Sequence, residues 1–107
     1  MPKYKKRVHL KGFDYKGYHR YFITICTFEK RNILQDNRYL VGYLLDLLQS
    51  LSFQYQFLVW AFCFMPDHLH LLLEGNDDNA DLRKFIAMFK QKSGFWYSQG
   101  FKRRLWQ

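Results

Sequence analysis

Cysteine, proline and long apolar runs are all scarce in this chain of 107 residues. The two cysteines, Cys26 and Cys63, are too few for a disulfide framework or a cysteine-based zinc site, and because each lies in an apolar run we expect two buried thiols. The longest apolar runs, 57–65 and 69–73, are much shorter than the ~20 residues that cross a bilayer. No apolar segment follows the basic N-terminus as in a secretory signal. We therefore expect a cytoplasmic protein with no membrane partner.

Acidic residues are also in deficit, with 9 against 17 basic ones, so the net charge is +8. A small and strongly basic domain usually meets a polyanion. Aromatic residues make up 21% of the chain, and rings that stack on bases beside cations that follow phosphates are typical of single-strand nucleic-acid binders. A basic domain with a large aromatic core would have the same composition.

The length suits one domain, 1–107, and the apolar periodicity predicts a strand, a helix, two strands and a second helix. The strands are Tyr21–Phe28, Tyr55–Phe64 and His68–Glu74, and the helices begin at Asp36 or Asn37 and at Asp78 or Asn79. We expect the first helix to reach Leu51 and Gly94 to weaken or end the second. The second strand is almost wholly apolar, which predicts burial on both faces.

This order matches the first five elements of a ferredoxin-like βαββαβ domain, an α+β fold with two helices on one face of an antiparallel sheet. The sixth element, a closing edge strand, would begin within Lys102–Gln107, so the sequence contains only its start. An open sheet edge invites pairing with another copy of the chain. We therefore expect a homodimer.

Two histidines provide the clearest candidate for chemistry. Residues two apart on a strand share a face, so His68 and His70 should project together while Leu69 and Leu71 enter the core. Two imidazoles can give two nitrogens to one divalent cation, but at least one more ligand is needed. Asp67, Glu74 or water could supply it. The alternative is a pair of half-buried histidines that merely cover the sheet.

The stretch Met65–Gly75, MPDHLHLLLEG, resembles the histidine–hydrophobic–histidine (HUH) motif of the single-tyrosine transposases, above all the REP-associated tyrosine transposases and their insertion-sequence relatives. Residues 20–27 resemble the family's first strand, and 59–63 resemble the strand before the motif. Leu105–Gln107 resembles the opening of its last sheet strand. The resemblance thus covers nearly the whole chain, and the eleven-residue string is its most specific part.

The resemblance implies a metal-assisted DNA transposase that recognises a hairpin with a single-stranded flank. His68 and His70 would bind Mg²⁺ or Mn²⁺, and a tyrosine would attack the phosphate to form a 5′-phosphotyrosine link. In the family that tyrosine follows the last sheet strand, which would place it beyond Gln107. Tyr97 is a weak candidate because it precedes that strand. We therefore expect DNA binding without cleavage.

Two further expectations concern binding. The basic residues nearest the chain ends are the candidate DNA contacts: Lys3, Lys5, Lys6, Arg7, Lys11, Lys102, Arg103 and Arg104. An alternative function is a non-catalytic RNA- or DNA-binding module that stacks bases on the sheet face and uses no metal.

Overall fold

The computed structural model describes residues 15–107 and contains all five of the predicted elements. They are β1 (Arg20–Cys26), α1 (Arg38–Tyr55), β2 (Phe57–Met65), β3 (His68–Gly75) and α2 (Leu82–Phe101). One 3₁₀ turn, Phe28–Lys30, follows β1. In the part of the chain that is described, no helix is long and apolar enough to cross a membrane.

The three strands form an antiparallel sheet in the order β1-β3-β2, which confirms the α+β prediction. Side chains of β3 alternate between its two sides. Leu69, Leu71 and Leu73 are fully buried in the core formed with both helices. We call the opposite side the open face; its members on β1 and β3 are Arg20, Phe22, Thr24, Cys26, His68, His70, Leu72 and Glu74.

Capping side chains set where both helices begin. The Asn37 side chain accepts a hydrogen bond from the backbone N–H of Leu40 at 3.1 Å, so Asn37 is the N-cap of α1. The prediction that Asp78 or Asn79 caps α2 is wrong, because Asp81 does so. Its carboxylate accepts hydrogen bonds from the backbone N–H groups of Arg83 and Lys84. Residues 77–80 form a separate turn, which the Asp77 carboxylate closes on the N–H of Asn79.

Both helices run further than predicted. The helix α1 continues to Tyr55, four residues beyond Leu51, and α2 passes through Gly94 without ending. Tertiary packing overrides the low helix propensity of glycine here, because Ser93 and Tyr97 are buried on either side of it. Trp96 lies at the margin of the core and stacks on Tyr43 of α1.

The prediction that the second strand is buried on both faces is wrong. It is the edge strand of the described sheet, and most of its side chains are exposed. A bulge at Trp60 shifts its register against β3, and the Trp60 indole donates to Glu74 on the open face at 2.7 Å. Cys63 is exposed and Cys26 half-buried, so the expectation of two buried thiols is also wrong.

The last residues pair with β1, where the sixth element was expected to start. The Gln107 N–H donates to the Cys26 carbonyl at 3.0 Å, and the Phe28 N–H donates to the Leu105 carbonyl at 2.8 Å. Trp106 is buried between these two bonds, opposite Thr27. Residues 105–107 therefore lie antiparallel to the chain at the end of β1.

Candidate functional site

The histidine pair lies at the start of β3, directly after the turn that leaves β2. This turn is firmly anchored, because the carbonyl of Asp67 accepts from the Thr27 N–H at 3.0 Å and the carbonyl of Pro66 accepts from the Leu34 N–H at 3.0 Å. Both imidazoles project onto the open face, as the alternation predicted. Their Nε2 atoms face each other at 3.0 Å.

The outer nitrogen of each ring has its own partner. Nδ1 of His68 lies 2.6 Å from a carboxylate oxygen of Asp67, and Nδ1 of His70 lies 3.1 Å from the hydroxyl of Thr24 on β1. A carboxylate only accepts, so in neutral His68 the proton is on Nδ1 and Nε2 carries a lone pair. His70 then donates from Nε2 to His68 and accepts from Thr24. These tautomers are assigned from the network.

The same network fits a cation. Because the Thr24 hydroxyl both donates and accepts, His70 can move its proton to Nδ1, after which both Nε2 atoms carry a lone pair. Two nitrogens 3.0 Å apart, each ~2.1 Å from a shared ion, subtend an angle of about 90°, as two neighbouring ligands of an octahedral ion do. Asp67 and Thr24 would then orient the ligands from behind.

The candidate third ligands are both engaged elsewhere. Asp67 faces the outer nitrogen of His68, while Glu74 accepts from the Trp60 indole and lies 3.4 Å from the Nε of Arg20. Among residues 15–107 no three side chains of the types His, Cys, Asp and Glu come together in a way that could hold an ion. Neither carboxylate considered from the sequence as a third ligand therefore joins the two facing Nε2 atoms.

An exposed ring lies against the pair. Phe22 is 69% exposed and stacks on His70 with ring centroids 5.4 Å apart, whereas Trp60, which is 59% exposed, lies beside Glu74 towards the other end of β3. Sequence reasoning missed Phe22 and Thr24 as neighbours of the site. The signal was present, since the alternation of β1 puts both on one face, but only the register with β3 shows that this face meets His70.

The predicted basic contacts divide into two groups. Lys3, Lys5, Lys6, Arg7 and Lys11 lie outside the described residues. Lys102, Arg103 and Arg104 line a shallow cleft beside the second half of α2, together with Lys90, which sequence reasoning did not single out. The Arg104 guanidinium is held over the ring of Phe28 at 4.8 Å and donates to the carbonyl of Trp106.

The structure does not bring Tyr97 to the histidine pair. Tyr97 is 6% exposed and belongs to the core on the helical side of the sheet, whereas His68 and His70 project from the other side. Its ring stacks on Phe101 one turn later in α2. This is the position of a packing aromatic.

Comparison with known proteins gives one family and several similar folds. The family model described as "Transposase IS200 like" matches residues 15–107. A REP-associated tyrosine transposase bound to a REP hairpin superposes with a TM-score of 0.69 at 16% identity, covering 92% of this chain and 56% of that one. A candidate transposase from Deinococcus radiodurans R1 gives 0.64 at 24% identity, covering 88% and 70%. No curated protein matches. The chain thus spans little more than half of the hairpin-bound relative.

Proposed function

The chain belongs to the IS200-like transposase family, and from this premise we propose that it binds DNA, with His68 and His70 holding one divalent metal ion on the open face. A hairpin with a single-stranded flank is the proposed ligand, because a relative of the same fold was solved on a REP hairpin. The observation that carries the metal proposal is the pair of Nε2 atoms facing each other at 3.0 Å, with both outer nitrogens already bonded.

A Mg²⁺ or Mn²⁺ ion in this position would supply Lewis-acid polarisation of a DNA phosphate. The protein's own part is orientation. The Asp67 carboxylate keeps the His68 proton on Nδ1, and the Thr24 hydroxyl fixes the rotation of the His70 ring. Leu69 lies between the two histidines and Leu71 directly after them, and because both are fully buried they hold this part of β3 in place. The pair therefore needs no rearrangement of the backbone to receive an ion.

For these 107 residues we propose binding rather than cleavage, since Tyr97, the nucleophile candidate from the sequence, is buried on the other side of the sheet. A labelled hairpin with a single-stranded flank, incubated with Mn²⁺, should be retarded on a native gel and should yield no covalent adduct on a denaturing gel. An adduct would show that another tyrosine reaches the metal.

Calorimetric titration with Mn²⁺ tests the metal. Wild-type protein should bind one ion, and the His68→Ala/His70→Ala double variant should bind none. His19→Ala is the matched control, because it removes an imidazole just before β1 and leaves the pair intact. No binding heat in the wild type, at more than one temperature, would overturn the metal proposal.

The exposed rings of Phe22 and Trp60 favour a second candidate, a metal-independent module that stacks unpaired bases on the open face. Oligonucleotide affinity measured with and without Mn²⁺ distinguishes the stacking module from the metal site. If oligonucleotide affinity in EDTA equals that in Mn²⁺, and falls about tenfold or more in Phe22→Ala, the stacking module is favoured. If Mn²⁺ strengthens binding over that in EDTA and the gain in affinity needs both histidines, the metal site is favoured.

We also propose that the protein is a homodimer. The strand β2 lies at the edge of the described sheet and exposes large apolar side chains, among them Trp60 and Phe62. An exposed apolar edge strand is a template for pairing with a second copy. Sedimentation at high micromolar concentration should give the mass of two chains, and Phe62→Lys should shift it towards one. A strictly monomeric wild type would contradict the proposal.

A further inference from the structure

A cleft of about 580 Å³ runs between the second half of α2 and the residues that follow it. Four of the residues that line it are cationic, and its most exposed aromatic ring is that of Phe95. The lining residues used below are Lys90, Phe95, Lys102, Arg103, Arg104 and Gln107. From residue 83 to 107 the sequence contains no acidic side chain. The cleft therefore has four cationic side chains, and no acidic side chain between residues 83 and 107 balances them.

Among the cations of the cleft, Lys90 differs most from an ordinary solvated surface lysine. It is half-buried, and this burial, together with the positive charge of Arg104, lowers the pKa of Lys90, with Cys26 acting in the opposite direction. None of the ion pairs formed between residues 15 and 107 includes Lys90 or another cation of the cleft. A partly desolvated ammonium beside a guanidinium is unfavourable unless an anion joins them.

The wall of the cleft is held rigidly. Arg104 donates from Nε to the carbonyl of Trp106 at 2.9 Å, and its guanidinium lies over the ring of Phe28. The indole of Trp106 donates in turn to the buried hydroxyl of Ser93 at 2.8 Å. A cation whose direction is set by two contacts pays little ordering entropy when a ligand arrives.

The cleft lies at the same end of the sheet as the histidine pair. Gln107, in the cleft wall, donates to the carbonyl of Cys26, and Cys26 is the register partner of His68. Two strand spacings, or roughly 10 Å, therefore separate the backbone of Gln107 from that of His68. Because the cleft opens beside α2 and the histidines project onto the open face, DNA in contact with both would pass around the edge of the sheet at residues 105–107.

We infer that this cleft is a phosphate-binding subsite for single-stranded DNA, in which Lys90 and Arg104 grip one backbone phosphate and Phe95 stacks on a neighbouring base. The inference rests on the proposed DNA-binding function and deepens it. It assigns the single-stranded part of the ligand, rather than the metal-bound phosphate, to the cleft. Stacking on an exposed ring such as Phe95, 65% exposed, is tolerant of sequence.

If Lys90 serves binding and not folding, removing its charge should make the folded protein more stable. In Lys90→Met the aliphatic stem is kept and the unfavourable charge is removed, so the melting temperature should rise at neutral pH. The pKa of Lys90 is lowered in the folded protein, so the unfolded chain binds more protons between the folded value and about 10.4. Wild-type stability should therefore recover across that window, and the difference between the two proteins should shrink above it.

The binding test uses a fluorescein-labelled oligothymidine in EDTA, so that the metal plays no part. Lys90→Met should weaken binding about tenfold and reduce the log–log salt slope by about 0.7. Phe95→Ala should weaken binding by a similar factor of about ten. Lys92→Met is the control, because the exposed Lys92 carries the same charge on the same helix outside the cleft; its affinity should stay within roughly twofold of wild type.

The results of these binding experiments distinguish a failure of the proposed DNA-binding function from a failure of the cleft inference. If wild-type protein binds neither the oligothymidine nor the hairpin with a single-stranded flank, with or without Mn²⁺, the proposed function fails; if it binds the hairpin and not the oligothymidine, only the cleft inference fails. If wild type binds and Lys90→Met and Phe95→Ala bind as tightly, only the cleft inference fails. It also fails if Lys92→Met loses as much affinity as Lys90→Met, because the effect would then be general electrostatics. Greater stability with weaker binding in Lys90→Met, and neither in Lys92→Met, supports it.

Discussion

The two side chains behind the histidines should decide how tightly a metal ion is held, and in a stated order. Asp67→Ala removes a carboxylate 2.6 Å from His68, and Thr24→Val removes a neutral hydroxyl 3.1 Å from His70 while keeping its shape. Hydrogen bonds to a charged group contribute about 1.5–3 kcal/mol and neutral ones about 1 kcal/mol. We therefore expect Mn²⁺ affinity to fall about 10- to 100-fold in Asp67→Ala and about fivefold in Thr24→Val.

Asp67→Asn separates charge from geometry. The amide oxygen can still accept from the His68 Nδ1–H, so the tautomer is kept and only the charge is lost. Its affinity should lie between those of wild type and Asp67→Ala.

The assay is calorimetric titration with Mn²⁺, with thermal melts to show that each variant is folded. Glu74→Gln is the control, because Glu74 also carries a carboxylate on the open face but bonds Trp60 and Arg20 instead of a histidine. If Glu74→Gln weakens binding as much as Asp67→Ala, long-range charge explains the effect and orientation does not. Equal affinity in Thr24→Val, Asp67→Ala and wild type would refute the whole network argument.

Three further predictions concern stability, each measured by urea denaturation. Ser93→Ala leaves the buried indole N–H of Trp106 without its acceptor, which should cost about 1–3 kcal/mol; Ser98→Ala removes only a local bond on the exposed side, and an equal loss there would contradict this reasoning. Gly75→Ala would press a methyl group into the backbone carbonyl of Gly17, in the loop before β1. This overpacking should lower the free energy of unfolding by about 1–3 kcal/mol. Gly42→Ala, with open space around it, should stabilise by up to about 1 kcal/mol, and a loss there would mean that α1 packs differently.

Local periodicity was sufficient to predict the elements and the direction of the histidines. A two-residue repeat in β3 placed His68 and His70 together, and the side chain of Asn37 was one of two candidates for the first cap. The second cap was misplaced because Asp77 closes its own turn just before the helix. Such competition between neighbouring acidic and amide side chains is decided by backbone geometry that the sequence does not display.

Features that depend on distant segments could not be predicted. The exposure of β2 follows from its place at the sheet edge, which an apolar run does not reveal. Lys90 looks like an ordinary helix lysine until residues 102–107 fold back along α2 and enclose it. The bulge that turns Trp60 towards Glu74 is likewise a property of the pairing with β3.

One buried residue connects the two candidate sites. Thr27 is fully buried, its N–H donates to the carbonyl of Asp67, and its hydroxyl lies 3.1 Å from the same oxygen. On its other side Thr27 pairs with Trp106, whose carbonyl holds Arg104 in the cleft. The Asp67 carboxylate faces the imidazole of His68, the first proposed metal ligand, so the position of that imidazole and the position of the cleft wall both depend on contacts of Thr27. Because packed interiors are stiff, a strand of DNA bound at both proposed sites would meet two contacts at a fixed separation. This preorganisation favours binding without requiring either site to be strong alone.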